Sequence, residues 1–310
     1  MPGSFLKVRE TVTAVPRVAV VIPTYNHAAF LRGALDSVLT QTVSDWEAIV
    51  VNNFSEDDTI AVVESYRDTR IKYINFANKG VIAASRNQGI SATSAPFIAF
   101  LDSDDIWYPG KLEKCLKRIE DGYDLVCHGE KWVGPGDQRR DVYYGPEQRA
   151  SFRNLLYEGN CISTSAVLVK RTLVDAAGYF SEDPAIITAE DYDFWLKLAR
   201  AGARIGFLRE LLGEYRIHGG NQSGAVLRNM KAVMQVVRNQ FVANGSATLA
   251  DRLRSRRREA IVYYGGARGL QDSGQHDDAW PYFFRALRRW PFVAKFYAAM
   301  LLNAIRRRLI

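Results

Sequence analysis

Cysteine is scarce in this chain of 310 residues. Its three cysteines, Cys115, Cys127 and Cys161, are odd in number and far apart, and they lack the close spacing of a metal-binding cluster. A disulfide framework is therefore excluded, and the scattered cysteines predict a reducing compartment.

Long hydrophobic runs are also missing. No apolar stretch approaches the roughly 20 residues of a membrane-spanning helix. The chain opens on a mixed polar segment, MPGSFLKVRETVTAVP, which lacks the charged and then apolar order of a secretory leader. With 47% hydrophobic and 24% charged residues, the composition is typical of a globular protein. We therefore expect a cytoplasmic protein with one large domain or two smaller ones.

Two glycine-rich nucleotide motifs are absent as well. No G-x-G-x-x-G pattern follows the first predicted strand, which disfavours a dinucleotide-binding Rossmann site. No G-x-x-x-x-G-K-[ST] pattern occurs, which excludes a P-loop.

The formal net charge of +7 is unevenly distributed. Residues 226–310 contain 16 lysines and arginines against five aspartates and glutamates, a net charge of +11, whereas residues 1–225 carry −4. An acidic body followed by a basic region predicts polar chemistry in the first and an anionic partner for the second.

The first 130 residues alternate between short apolar runs and helical patterns. Such nearly continuous apolar runs are typical of parallel strands buried on both faces. The predicted strands are Arg17–Pro23, Trp46–Asn53, Ile71–Phe76, Phe97–Asp102 and Asp124–His128, and the predicted helices are His27–Gln41, Asp57–Arg67, Val81–Thr93 and Pro109–Gly122. The alternation predicts an α/β fold with a doubly wound, mostly parallel sheet.

The pattern becomes less regular after residue 130. The expected order is a loop-like stretch at Val133–Gln148, a helix near Glu147–Glu158, a β-rich run at Cys161–Lys170, a helix at Ala189–Ala201, a β pair within Arg204–Arg216 and a turn-rich loop at His218–Gly224.

The sequence is helical almost throughout after Val226. Within this region the spacing of a tetratricopeptide-type helical hairpin is matched by Gly274, Ala279, Phe283, Ala286 and Pro291. We therefore divide the chain into an N-terminal extension at 1–16, an α/β domain at 17–225 and a basic helical region at 226–310.

Three carboxylates end the strand predicted at Phe97–Asp102. Aspartates in this position lie at the carboxyl edge of the sheet, where open α/β folds bind ligands. Asp102 and Asp104 suit a hard divalent cation, since Mg²⁺ and Mn²⁺ take one or two carboxylates together with substrate phosphates. The structural alternative is that Asp105 caps the helix beginning near Pro109–Gly110.

Polar side chains also follow the first two strands. Thr24, Tyr25 and Asn26 offer hydrogen-bonding groups and an aromatic face for a base, and Asn52 or Asn53 could read a pyrimidine edge. Structural roles stay open for both groups, since asparagine favours turns and helix N-caps.

Four charged or titratable side chains complete the candidates. Arg86 suits planar recognition of phosphate, although it could also be a surface helix arginine. Glu190 and Asp191 fall in the first turn of a predicted helix, where they could complement the helix dipole or supply a general base. His218 places a ring nitrogen on a loop, where it could contact a metal or phosphate.

Six segments, taken in order and spacing, resemble the family 2 inverting glycosyltransferases with the GT-A fold. They are VVIPTYN, VVNNFSEDD, ASRNQG, FLDSDD, AEDYDFWLKL and YRIHGGNQS, which together span roughly Arg17 to Gly224. No single segment is diagnostic, but six in register are specific. The resemblance implies a nucleotide-sugar-binding half at 17–130 and an acceptor-binding half at 131–225.

The resemblance also implies roles for the matched residues. The nucleotide would be held by Pro23, Thr24, Tyr25, Asn26, Asn53, Arg86, Asp102 and Ser103. Asp104, with Asp102 and His218, would bind Mn²⁺ or Mg²⁺ against the diphosphate, and Asp191, with Glu190 beside it, would be the catalytic base. The implied donor is a UDP-sugar. Asn53 stands where many relatives have aspartate, so GDP and dTDP donors stay open.

The implied reaction transfers a sugar from a nucleotide-sugar to a hydroxyl of a glycan or lipid-linked acceptor, with inversion and a metal. Such enzymes build bacterial surface polysaccharide or lipopolysaccharide. From the residues alone, a sugar-nucleotide nucleotidyltransferase and a non-catalytic nucleotide-sugar-binding scaffold stay open as alternatives.

Arginines cluster in the C-terminal region. The clusters are Arg252, Arg254, Arg256, Arg257 and Arg258, and then Arg306, Arg307 and Arg308. Between them lies RALRRWPFVAKFYAAMLLNAI, and basic amphipathic helices of this kind bind the interface of anionic membranes. We therefore expect a peripheral location on the inner face of the cytoplasmic membrane; the alternative is an apolar stripe that covers the core. Nucleic acid is not expected as a partner, since no nucleic-acid-binding signature accompanies the charge.

Overall fold

The computed structural model describes residues 15–219, 225–245 and 248–306. Within these ranges nine strands form one sheet with helices on both faces, and four further helices follow. Most of the predicted N-terminal extension (1–14), the end of the loop after His218 (220–224) and the last arginines (307–308) lie outside the described residues.

The first part of the sheet is parallel. Its strands are β1 (Val18–Thr24), β2 (Trp46–Asn52), β3 (Ile71–Asn75) and β4 (Phe97–Phe100), and they are connected by helices α1 (Ala28–Leu39), α2 (Thr59–Glu64) and α3 (Ile82–Ser91). The strands lie in the order β3-β2-β1-β4. The doubly wound α/β fold predicted from the alternation is therefore confirmed.

The second part of the sheet is mixed. Its elements are β5 (Ile106–Trp107), α4 (Lys111–Glu120), β6 (Leu125–Val133), β7 (Arg139–Val142), α5 (Phe152–Glu158), β8 (Val167–Lys170), α6 (Arg171–Ala177), α7 (Glu190–Arg200) and β9 (Ile205–Arg216). The order continues from β4 as β8-β6-β9-β5, with β7 paired to β6. Strand β8 runs antiparallel to β4 and β6, whereas β6 and β9 are parallel.

Two expectations for this second part are wrong. The β pair predicted within Arg204–Arg216 is a single strand, β9, because its pairing with β6 shifts register near Gly129 and the chain does not reverse. The loop predicted at Val133–Gln148 contains β7, which forms a hairpin with β6.

The core consists of one apolar layer on each face of the sheet. Strand β1 shows why, since Val18, Val20 and Ile22 pack on one layer while Ala19 and Val21 pack on the other. This is the two-residue alternation of a strand, and both faces are buried because helices cover both.

The C-terminal region consists of α8 (Val226–Ala243), α9 (Leu249–Asp272), α10 (His276–Arg289) and α11 (Ala294–Ala304). Helix α8 inserts Ala232, Val236 and Val237 into the core of the α/β domain. Helices α9 and α10 form the predicted helical hairpin, with Phe283 fully buried between its neighbours. No helix in the described part of the chain is both long and apolar enough to cross a lipid bilayer.

Candidate active site

The predicted site residues gather at one edge of the sheet. Strands β1, β2 and β4 are parallel neighbours, so their carboxyl ends meet there, with Thr24 paired to Asn52 in register. The segment after β4 supplies Asp102, Ser103 and Asp104 to the same edge.

The end of β1 carries a buried hydroxyl. Pro23 and Thr24 are buried, and the Oγ1 of Thr24 has no hydrogen-bond partner among the described residues. Buried hydroxyls in proteins are almost always hydrogen-bonded, so Oγ1 is a candidate ligand contact. Tyr25 follows with half of its surface exposed (50%), as an aromatic platform for a base requires.

Asn26 joins the loops after β1 and β2. It adopts a left-handed conformation (φ 52°), its backbone N–H donates to Ser55 Oγ (2.9 Å), and its Oδ1 accepts from the Glu56 N–H (2.8 Å). It does not cap α1, because the Ala28 N–H donates instead to Asp57 Oδ2 (2.9 Å).

The two asparagines at the end of β2 differ in what they leave for a ligand. Asn52 is fully buried and committed, since its Nδ2 donates to Asn75 Oδ1 (2.8 Å) and its Oδ1 accepts from the Ser55 hydroxyl (2.6 Å). Asn53 is half-buried, and its Oδ1 accepts from the Asn78 N–H (3.0 Å). Of the two, Asn53 is the one that can contact a base.

Arg86 links two of the acidic candidates. Its guanidinium, only 4% exposed, donates to Asp102 Oδ1 (2.8 Å) and to Glu190 Oε1 (2.7 Å). Burial opposes its positive charge, but the two carboxylates prevail and raise its pKa above the usual value. Arg86 is therefore a buried, fixed cation rather than a surface helix arginine.

The segment after β4 contacts two histidines, His218 and His27. Asp104 Oδ2 lies 2.9 Å from His218 Nε2, and Ser103 Oγ lies 2.8 Å from His27 Nδ1. The His218 ring also stacks on Phe30, with centroids 4.6 Å apart. The loop after β9 is thus held against the end of β4.

Asp105 does not cap the following helix, so that structural alternative is wrong. It is buried and accepts from the Ser165 hydroxyl (2.6 Å) and the Arg216 N–H (3.0 Å), whereas α4 begins at Lys111 without a side-chain cap. Burial and the nearby carboxylates, Glu130 first, raise the pKa of Asp105 well above its usual value. Its role is to fix the segment that carries Asp102 and Asp104.

Glu190 and Asp191 begin α7, as the sequence predicted, but their environments differ. Both oxygens of Glu190 are engaged, Oε1 by Arg86 and Oε2 by the Thr188 N–H (2.9 Å). Asp191 is half-buried; its Oδ1 accepts from the backbone N–H of the next residue (2.6 Å), and its Oδ2 accepts a longer hydrogen bond from the Thr164 hydroxyl (3.2 Å). Burial, and then the charge of Glu190, raises the pKa of Asp191 to about 7. A carboxylate with this pKa suits proton abstraction near neutral pH.

Several contributing residues were not found from the sequence. Thr164 and Ser165, just before β8, connect the base candidate to the acidic segment, since Ser165 also accepts from the Asp102 N–H (3.1 Å). Glu130 lies within β6 and accepts from the Tyr144 hydroxyl (2.6 Å). The STS sequence before β8 was the only available signal, and a strand-interior glutamate gave none.

The donor chemistry at this edge fits a hard divalent cation. The described residues contain no cluster of three or more histidine, cysteine or acidic side chains arranged to enclose a metal. Mg²⁺ and Mn²⁺ do not require one, because one or two carboxylates and substrate phosphates can complete their coordination. Asp104 and His218 place a carboxylate oxygen and an imidazole nitrogen in contact, with Asp102 two residues away.

Glycosyltransferases are similar in sequence to this chain. The model of the "Glycosyl transferase family 2" matches residues 19–176. An uncharacterized glycosyltransferase of Rickettsia prowazekii is 31% identical and covers 70% of this chain and 69% of its own. WfgD of Escherichia coli, described as a UDP-Glc:alpha-D-GlcNAc-diphosphoundecaprenol beta-1,3-glucosyltransferase, is 28% identical over 75% of this chain and 89% of its own.

Solved structures share the fold. Staphylococcus aureus TarS 1–349 in complex with UDP-GlcNAc aligns with a TM-score of 0.64 at 20% identity, over 94% of this chain and 88% of that one. The mannosyltransferase PcManGT from Pyrobaculum calidifontis, in complex with GDP-Man and Mn²⁺, aligns with a TM-score of 0.61 at 17% identity, over 95% and 86%. The nucleotidyltransferase and scaffold alternatives are wrong: the chain belongs to glycosyl transferase family 2 and is a glycosyltransferase with a GT-A fold.

Proposed function

We propose that this chain transfers a sugar from a UDP-sugar to a hydroxyl of a glycan or lipid-linked acceptor, with inversion and with Mn²⁺ or Mg²⁺ as cofactor. The product would enter a bacterial surface polysaccharide or lipopolysaccharide. The observation that carries the proposal is the junction of Arg86, Asp102 and Glu190, which ties the base candidate Asp191 to the acidic segment. The UDP-glucose donor named for WfgD and the complex of TarS with UDP-GlcNAc support a UDP-sugar donor.

Residues of β1, β2 and the adjacent loops would hold the nucleotide. The Asn53 amide can donate to the O4 carbonyl of uracil, and its Oδ1 keeps a second lone pair for N3–H. Tyr25 would cover the base, while Thr24, Pro23 and Asn26 would shape this end of the pocket. Ser103 would support the segment that faces the ribose.

Asp104, Asp102 and His218 would hold the divalent cation. When bound, the cation supplies positive charge that stabilises the leaving nucleoside diphosphate. Arg86 does not need to bind phosphate for this chemistry. Its two ion pairs instead fix Asp102 toward the nucleotide and Glu190 beside the base.

Asp191 would act as the general base. Its carboxylate removes the proton of the acceptor hydroxyl as that oxygen forms a bond to the anomeric carbon and the bond to the diphosphate breaks. A single displacement of this kind inverts the anomeric centre, so an α-linked donor gives a β-linked product. Glu190 is less suited to the role because one of its oxygens is held in an ion pair with Arg86 (2.7 Å), whereas Asp191 accepts only from a backbone N–H and a hydroxyl.

The C-terminal helices would contact an anionic membrane, which would place the enzyme peripherally on the cytoplasmic face. Helix α11 supports this, because its exposed face carries Tyr297 and Leu301, and the exposed Ile305 at its C-cap continues their four-residue spacing. Phe292, in the loop before α11, is 80% exposed, and Lys295 flanks the face. Apolar faces bordered by cations are typical of helices at the surface of anionic membranes.

The test is a transfer assay with purified full-length chain, UDP-glucose or UDP-GlcNAc, and a short-chain lipid diphosphate carrying GlcNAc as acceptor. We expect a β-linked product, identified by NMR of the new anomeric proton, and transfer that stops in EDTA and returns with Mn²⁺. GDP- and dTDP-sugars serve as donor controls. An α-linked product, or transfer that is insensitive to EDTA, would contradict the proposal.

A further inference from the structure

A groove between α8 and α9 contains none of the active-site residues described above. Its volume is about 430 Å³, within the roughly 300–1,000 Å³ of small-molecule pockets. The end of α8 forms one wall and the first three turns of α9 form the other. A capping box between Thr248 and Asp251 fixes the start of α9, so this wall is a formed helix.

The floor of the groove is apolar and exposed. Phe241 and Val242 of α8 face Leu249 and Leu253 of α9. Val242 is 76% exposed and Leu249 is 74% exposed, which is unusual for large aliphatic side chains placed together. A contiguous exposed apolar patch in a polar rim marks an interaction site.

The rim of the groove is basic. Arg252 and Arg256 lie on the same face of α9 as Leu249 and Leu253, because residues three and four apart are neighbours on a helix. In the described ranges neither of these two arginines lies in an ion pair. Both are exposed at the mouth of an apolar groove.

A third arginine, Arg238, completes the rim from α8. The acidic lining residue, Glu259, is already paired with Arg238 (3.4 Å) and with Arg289 (3.0 Å). The charge that the groove presents to a ligand is therefore positive. Arg289 also connects the groove to the loop that carries the exposed Phe292.

We propose that this groove binds one anionic phospholipid of the membrane surface, with an acyl chain along the apolar floor and the phosphate between Arg252 and Arg256. The planar guanidinium group suits phosphate because it can donate two parallel hydrogen bonds. Phosphate alone would leave the floor uncovered, and a neutral lipid would leave the arginines without a counter-charge. The inference rests on the proposed membrane location only for the source of the lipid.

The test is calorimetric titration of the full chain with dihexanoyl phosphatidylglycerol below its micelle concentration. We expect saturable binding with one site, and no binding of inorganic phosphate or of dihexanoyl phosphatidylcholine. Reversing both rim charges (Arg252→Glu with Arg256→Glu) should weaken binding by about tenfold or more. Leu249→Asp should weaken it by a similar factor, since it places a carboxylate on the floor.

The same helix offers matched controls that do not line the groove. Arg254→Glu with Arg257→Glu has the same charge change as the double rim variant, Ala250→Asp has the same charge change as Leu249→Asp, and both should bind the lipid like the unchanged chain. Equal weakening by the groove and control variants would overturn the proposal in favour of general surface adsorption. Equal binding of phosphatidylcholine would overturn the charge assignment, and an absence of any lipid binding would overturn the site.

Catalysis is measured separately with the short-chain acceptor in the absence of other lipid. The groove variants should keep full transfer activity in that assay, because none of the changed residues contacts the active site. If the chain without substitutions shows no transfer, the proposed function is refuted, but the lipid titration still tests the groove.

Discussion

The sheet edge and the C-terminal helices use charge in opposite ways. At the sheet edge, Arg86 is buried and held by two carboxylates, and burial raises the pKa of Asp191. On α9 the arginines of the groove are exposed and lie beside exposed apolar side chains. Buried charged side chains hold fixed orientations and have shifted pKa values, which catalysis requires. Exposed charged side chains can instead attract an oppositely charged ligand or membrane, and salt screens this attraction.

Removing the base should give the largest loss of activity. A small loss would contradict the contrast between a catalytic sheet edge and a surface-binding helical region. We expect Asp191→Asn to lower kcat by roughly 10²–10⁴-fold while the KM for the donor stays nearly constant, because only the proton acceptor is lost. Steady-state kinetics at pH 7.5, run at low and high salt, checks this, and the salt change should not restore activity.

Glu190→Gln is the matched variant for that experiment. It should disturb Arg86 and donor binding more than the chemical step, because Glu190 holds the guanidinium. If Glu190→Gln abolishes kcat while Asp191→Asn leaves it intact, the base has been assigned to the wrong residue.

The next largest effect should be on stability. Arg86→Ala leaves the carboxylates of Asp102 and Glu190 without their cation, so we expect a loss of about 3–5 kcal/mol in the free energy of unfolding. Arg17→Ala breaks an exposed pair with Glu120 and should cost about 1 kcal/mol or less. Urea unfolding of both variants measures the contrast, and equal losses would show that Arg86 is not the buried junction described above.

The pH dependence of both transfer activity and stability should reflect the two carboxyl groups with a pKa of about 7, Asp191 and Glu130. Transfer should rise with pH and level off above about 7, because the base must be ionised. Stability should change in the opposite direction. Burial favours the protonated forms, so their contribution to the free energy of unfolding is full below about pH 4 and is lost as the pH rises through 7. Asp105, whose pKa is also raised, contributes in the same direction.

Asp191→Asn separates these two effects. It should flatten the fall in melting temperature between pH 5 and 8 and make the ligand-free protein more stable than the unchanged chain at pH 8. Melting curves across this range check the prediction, and a steeper fall in the variant would contradict the raised pKa.

The smallest effect should come from the exposed face of α11. Leu301 is 66% exposed, so Leu301→Asp should leave folding intact but lower sedimentation with anionic liposomes several-fold, most clearly at low salt. Ala61→Asp, an exposed change on α2, is the control with the same added charge. Equal sedimentation of the two variants would remove α11 from the membrane contact.

The site at the sheet edge could be predicted because polar residues that follow apolar runs can be recognised in the sequence alone. FLDSDD and VVIPTYN each end a buried strand, and parallel order then places these ends together. The same reasoning could not separate Asn52 from Asn53 or Glu190 from Asp191. Those choices depend on partners such as Asn75 and Thr188, whose contacts form only in the fold.

Other features lay beyond the sequence pattern. Arg86 meets Glu190 across 104 positions of the chain, and Ser165 reaches Asp105 across 60. Strand β9 looked like two strands, but it pairs with β6 on both sides of an irregularity in which β9 has more residues, between Leu208 and Glu214, than the stretch of β6 around Gly129. In the sequence the α8–α9 groove is visible only as a cluster of arginines, because the exposure of Leu249 and Leu253 depends on how α9 packs against α8.

The most direct test of the central claim is the thermal stability of the chain with UDP, with and without Mn²⁺, beside Asp104→Asn. A ligand that binds only the folded state raises its melting temperature. We predict a rise with UDP that requires Mn²⁺ and is lost in Asp104→Asn. A rise that is independent of Mn²⁺, or one that persists unchanged in Asp104→Asn, would contradict the metal-dependent site.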